Sequence, residues 1–168
     1  MGALTTHDKH EAHRRLLRRL EIQAQDVERL VRGVSEDALA RRPDPEKWSL
    51  KELMAHLWII QRLFAQRAEK MLSHDNPPLD PYDPEEDPNF TRIAARSAAR
   101  ILADFLADRA AFAARLGSLS PEHWHRRGEH PEFLHYDIHF LAEYMMHHEA
   151  HHIYQIFRLR SALGAIPH

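Results

Sequence analysis

Met145-Met146-His147-His148-Glu149-Ala150-His151-His152-Ile153-Tyr154-Gln155-Ile156 decides the fold of this chain. At about 100 degrees per residue, with His148 taken as zero, Leu141 and Leu159 fall near 20 degrees and His152 near 40. Met145 follows near 60, and Ile138 and Ile156 near 80, by the same helical step of about 100 degrees. One apolar arc therefore runs along a helix predicted from about His135 to Arg160, and His148 and His152 stand on it where leucines would normally pack. His147 and His151 repeat the spacing but face the edge of the arc.

The helical period extends through the rest of the chain. A first helix is predicted from about His7 to Gly33 on the stripe Leu17, Leu20, Ala24, Val27 and Val31, with Gly33 and Ser35 marking its end. Trp48-Ser49-Leu50-Lys51-Glu52 has the form of a helix start, in which Ser49 caps the amide of Glu52 and Glu52 reaches back. That second helix carries Leu50, Leu53, His56, Leu57, Ile60 and Phe64 inward, to about Ser73. His74 to Asn89 holds five prolines and reads as a long loop over one end of the domain, of a kind that often serves as a lid. A third helix is predicted from about Phe90 to Leu116, with Ala94, Ala98, Ile101, Phe105 and Phe112 available for packing and Gly117 as its stop. Glu122 to Pro131 reads as an irregular polar stretch. Nothing alternates with the period of a strand. The economical fold is all-α, one four-helix bundle over residues 1–168, with two long connections that leave its topology open.

Composition narrows the function classes. The chain has 168 residues, 43% apolar and 29% charged, and a net charge of -2. That is one globular domain without the basic surface of a nucleic-acid binder; the arginine pairs are interleaved with acids. No cysteine is present, which removes disulfides, thiolate nucleophiles and cysteine zinc sites. The first residues become charged without an apolar core, and no apolar run approaches a membrane span, so a soluble cytoplasmic protein is expected. Fifteen histidines are the oddity. His7, His10 and His13 are expected on a polar N-terminal surface. His123, His125, His130, His135 and His139 are expected to be solvent-exposed at one bundle end, where they could meet an acidic substrate.

His148 and His152 lie one turn apart and can point at one object, and a divalent zinc or nickel ion suits neutral imidazole. His56, between Leu53 and Ile60 on the inward stripe of the second helix, is the best third ligand. Three imidazoles leave a position open, as in a catalytic rather than a closed structural site. His148-Glu149-Ala150-His151-His152 also satisfies the HExxH pattern of zinc peptidases. Its context fails, because little chain follows for a downstream ligand and no substrate-binding edge strand is predicted. Glu149 borders the arc and has two readings, a catalytic role beside the ligands or an ion pair with an arginine of another helix. Gln155 and Tyr144 can face the site to orient water or substrate, or can be merely structural. Trp48 and Trp124 are expected to anchor the loops.

The joint spacing of Trp48-Ser49, Glu52, His56-Leu57 and His148 through Ile156 resembles the DinB/YfiT-like superfamily over nearly the whole chain. The resemblance implies an up-down-down-up bundle, nickel or zinc on His56, His148 and His152, and a homodimer. It also implies a small-molecule enzyme, foremost an S-transferase that uses a low-molecular-weight thiol of the bacillithiol type against small electrophiles. A cosubstrate thiol would account for chemistry without a protein cysteine. The alternatives are a metal-dependent hydrolase, with Glu149 accepting a proton, and a non-catalytic metal-binding protein related to stress.

Overall fold

Apolar residues three and four apart make α1 (Thr6–Val31) amphipathic, and Leu16, Leu20, Ala24, Val27 and Leu30 bury its stripe. The computed structural model describes residues 6–168, with side chains from residue 10 onward. After α1 come α2 (Glu36–Ala40), α3 (Leu50–Ser73), α4 (Pro88–Ala94), α5 (Ala98–Gly117) and α6 (Ile138–Ser161), with a 3-10 turn at His123–His125 before α6. The four long helices α1, α3, α5 and α6 form the bundle. Two layers of core run through it, one around Leu57 and Ile101, the other around Phe64, Leu141 and Met145. Each fully buried Leu or Phe contributes about 1.5–3 kcal/mol, so these stripes hold the helices more than helix propensity does.

Cross-helix contacts fix the direction of each helix. Trp58, Gln61 and Glu69 of α3 meet Asp108, Arg109 and Arg115 of α5 in the same order, so α3 and α5 are parallel. His56 and Phe64 of α3 meet His148 and Tyr144 of α6 in reverse order, so that pair is antiparallel. His13 and Gln23 of α1 meet His139 and Met146 of α6 in step. The result is an up-down-down-up bundle with α1 and α3 on opposite corners. The parallel neighbours α3 and α5 need a long crossover, which explains the stretch from 74 to 87, and the stretch from 118 to 137 spans the diagonal from α5 to α6.

The expected helices differ from the observed ones at three places. Ser35 does not merely end α1 but caps α2, accepting from the Ala38 amide at 3.2 Å. The third expected helix is two. Between α4 and α5 the chain turns at Ala95–Ser97, where Ser97 caps the Arg100 amide and the Glu36 carboxylate accepts from the Ala98 amide at 2.9 Å. The fourth begins at Ile138, capped by Asp137. The stretch around Glu122–Pro131 is more ordered than its polarity suggests. Trp124 is buried, Arg127 and Gly128 pair with Asp137 and Tyr136, and Glu129 pairs with the Pro-rich loop through Leu79 N–H to Glu129 O at 2.8 Å and Glu129 N–H to Pro77 O at 2.9 Å. Gly128 permits this approach, since a Cβ there would lie 2.9 Å from Leu79 Cδ1 and 3.0 Å from Met71 Cγ.

His13 corrects another expectation. It is buried, stacked on Trp124 with ring centroids 4.2 Å apart and joined to His139 at 3.0 Å, whereas His10 is exposed. The His7 side chain lies outside the described residues. Among the described residues no helix is long and apolar enough to cross a membrane.

Candidate metal centre

The capping box at the start of α3 sets the phase of His56. Ser49 Oγ accepts from the Glu52 amide at 3.1 Å, Glu52 accepts from the Ser49 amide at 2.8 Å, and Arg42 pairs with Glu52. Two turns into α3, His56 is buried at 3% exposure. α6, running the other way, presents His148 and His152 to it.

The three Nε2 atoms converge. His56 Nε2 lies 3.4 Å from His148 Nε2, which lies 3.2 Å from His152 Nε2, and one nitrogen of each ring falls within 4.8 Å of the others. Metal bonds of about 2.0–2.1 Å at tetrahedral angles place neighbouring nitrogens roughly 3.3–3.4 Å apart, close to these separations. Among the described residues this is the one group of three or more potential ligand side chains close enough to share an ion. His147 and His151 are exposed and stand outside the cluster.

The electrostatics match metal ligation. Burial, aided by the neighbouring imidazoles, lowers the pKa of His56 to about 3 and of His148 to about 4, and lowers that of His152. All three rings are therefore neutral at neutral pH, the form that ligates. Gln155 Oε1 sits 2.7 Å from His152 Nδ1 and can only accept, so Nδ1 carries the proton and Nε2 offers its lone pair. Three neutral imidazoles cannot satisfy three converging Nε2 atoms among themselves, whereas a cation satisfies every lone pair at once. The donor set fits a divalent ion.

The cluster lines a cavity of about 470 Å³. Trp48 covers it, 4.9 Å from the His56 ring and 6.4 Å from the His152 ring, and stacks on Phe90 at 5.0 Å, so it is wall and loop anchor together. Pro81, Tyr82 and Pro84 of the Pro-rich loop form another wall. Tyr144 lines the cavity with its ring 5.4 Å from that of Phe64. Trp124, by contrast, lies among the lining residues of no part of this cavity and anchors the His13 end.

Glu149 is not brought to the histidines. It is 2% exposed and pairs through both oxygens with Arg109 of α5, one contact being 3.0 Å, so its place is the arginine pair rather than the catalytic one. Arg109 also donates to Gln61 Oε1 at 2.6 Å and to the Leu20 carbonyl, binding α1, α3, α5 and α6 in one buried network. Sequence reasoning passed over Arg109 and Arg67, although both keep the inward phase: Phe105, Arg109 and Phe112 on α5, and Phe64, Arg67 and Met71 on α3. It also placed His130 in solvent. His130 is half-buried, stacks on Tyr136 with centroids 4.7 Å apart and lines the cavity, and burial together with the Arg67 charge lowers its pKa.

The model of the DinB superfamily matches residues 19–156. An uncharacterized protein of Bacillus subtilis, YuaE, is 25% identical over 146 residues, covering 79% of this chain and 90% of that protein. The solved structure of YfiT from Bacillus subtilis, described as "a probable metal-dependent hydrolase with an unusual four-helix bundle topology", superposes with a TM-score of 0.77. The match spans 98% of this chain and 92% of that one at 19% identity, a likeness of fold.

Proposed function

Because the chain belongs to the DinB superfamily, we propose that it is a metal-dependent hydrolase of small molecules, with one nickel or zinc ion held by His56, His148 and His152. The observation that carries this reading is the convergence of three neutral imidazoles in the wall of a largely apolar cavity. When bound, a divalent ion supplies Lewis acidity at that wall of the cavity. Gln155 holds His152 in the ligating tautomer, and Tyr144 orients the substrate against Phe64. Trp48 excludes water from one side. Glu149 acts through Arg109 as a strut that keeps α6 in phase, which leaves no role in it for a peptidase base. The description of YfiT as a probable metal-dependent hydrolase favours hydrolysis over thiol transfer. We further propose a homodimer, with the exposed Tyr154 and Phe157 of α6 at its contact; sedimentation of the wild type against Phe157→Glu tests it.

The experiment is metal analysis of protein purified without nickel resin, followed by turnover of an ester, amide and lactone panel with and without a low-molecular-weight thiol. Near one equivalent of metal is expected, lost in His56→Ala, His148→Ala and His152→Ala and kept in His147→Ala and His151→Ala. Absence of metal even after reconstitution refutes the reading. Products that contain the sulfur of the thiol, in place of hydrolysis products, reassign the site to S-transfer.

A further inference from the structure

A second built feature lies in the same cavity, away from the histidines. Arg67 lines the cavity and is 7% exposed. Its Nη2 donates to the Asp80 carbonyl at 2.5 Å, but its Nε is buried with no hydrogen-bond partner. Among the described residues no carboxylate comes within ion-pair distance of it. The other two buried arginines are placed differently, although Arg160 Nε is likewise buried without a partner. Arg109 has Glu149 and two further acceptors, and Arg160 donates to the Gly164 and Ala165 carbonyls just past its own helix end, where the helix dipole is negative. Arg67 lies more than a turn inside α3 and has one neutral acceptor. A buried guanidinium without a counter-charge is strongly unfavourable, so an anion that reaches it from the cavity is favoured. Around it stand the half-buried His130 and the buried Tyr136 hydroxyl, which faces the guanidinium itself. Glu132 also lines the cavity but is exposed.

The register of α3 gives the distance. Arg67 follows His56 by eleven residues, close to three full turns, so both face the cavity with Cα atoms about 16 Å apart along the axis. Helical side chains lean toward the N-terminus, His56 and Arg67 alike, so the two groups keep about the separation of their Cα atoms. Ile60, Leu63 and Phe64 of the same face, with Tyr144 opposite, make the floor between them apolar.

We propose that Arg67 is the anion-recognition residue of this cavity, and that the substrate is an organic acid whose carboxylate sits at Arg67 while an apolar stem places its reacting bond at the histidines. The stem and the reacting end rest on the hydrolase reading; the anion site does not. The planar guanidinium supplies paired N–H donors to the carboxylate.

Calorimetry with 4-phenylbutyrate, which has the acid and the apolar stem without a hydrolysable bond, tests this on the full-length protein. Saturable binding is expected for the acid and none for its primary amide. Affinity falls at least tenfold in Arg67→Gln, falls less in Arg67→Lys, and is kept in His56→Ala. Without ligand, Arg67→Gln keeps or raises the melting temperature, because it removes an unpaired buried charge. Equal binding of acid and amide, no binding of the acid, or unchanged affinity in Arg67→Gln overturns the proposal. A melting temperature lowered by Arg67→Gln with acid affinity intact assigns Arg67 to tethering the loop at Asp80 and overturns it as well. Loss of metal from every preparation with acid binding retained sinks the hydrolase reading and leaves the anion site standing.

Discussion

Glu149→Gln separates a strut from a catalytic base by magnitude. In the wild type Glu149 and Arg109 are each 2% exposed, and the carboxylate engages the guanidinium through both oxygens. The glutamine keeps one acceptor oxygen and turns an amide N–H₂ toward the guanidinium, which leaves a buried positive charge without its counter-charge. Breaking one side of a buried pair costs about 3–5 kcal/mol. Here Arg109 retains Gln61 Oε1 and the Leu20 carbonyl, so the lower end applies, about 3 kcal/mol. For a chain of this length that lowers the melting temperature by roughly 6–12 °C. Urea unfolding followed by circular dichroism gives the free energy, and metal analysis of the folded fraction gives the stoichiometry. The expected outcome is a large loss of stability with metal content unchanged. Replacing both partners, Arg109→Leu with Glu149→Met, recovers much of the loss, because a packed apolar pair dispenses with the desolvation of two charges. A Glu149→Gln protein of wild-type stability that no longer turns over substrate would refute the reasoning and return Glu149 to the reacting centre.

Three further outcomes follow from the geometry. Gln155→Leu removes the acceptor that fixes the His152 tautomer. Metal affinity then weakens about 10–100-fold in chelator competition while the unfolding midpoint of the metal-free protein stays put; equal affinity refutes the role. The metal-free protein loses stability with acid, because His13 and His148 have folded pKa values of about 4 against an ordinary value of 6.5. The unfolded chain takes up those protons first, so the stability is complete above pH 6.5 and is lost as pH falls toward 4. A urea midpoint flat across that window contradicts it, and His13→Phe, which keeps the stack on Trp124, removes part of the slope. Gly128→Ala pushes a methyl against Leu79 and Met71 and costs about 1–3 kcal/mol, read from the urea midpoint, as overpacking does.

The histidine cluster was legible because its signal is local. His148 and His152 lie four apart on an apolar arc, and His56 sits between Leu53 and Ile60, so helical phase alone turns all three inward. The start of α3 was legible for the same reason, since Ser49 and Glu52 cap within four residues. What escaped depends on partners distant in sequence. The turn before α5 has no proline or glycine; it is held by Glu36, more than sixty residues earlier. α2 is short and rests on its Ser35 cap and one buried leucine, Leu39. Arg67 and Arg109 carried the inward period of their helices, yet a charged residue reads as surface until its partner or its cavity is known. The loop around Gly128 is ordered by Leu79 and Pro77 across the fold, a pairing that no local pattern encodes.

The antiparallel packing of α3 on α6 splits the donor set between an early helix and the last one, with 92 residues of chain between His56 and His148. A nascent chain that has made α1 through α5 holds a single one of the three imidazoles and can retain an ion only weakly. An ion held there would thus enter after α6 has docked, and its loading would be a chemical report that the bundle has assembled. By mass action an ion at a thousand times its dissociation constant adds about 4 kcal/mol to the closed bundle, all of it on the seam between those two helices.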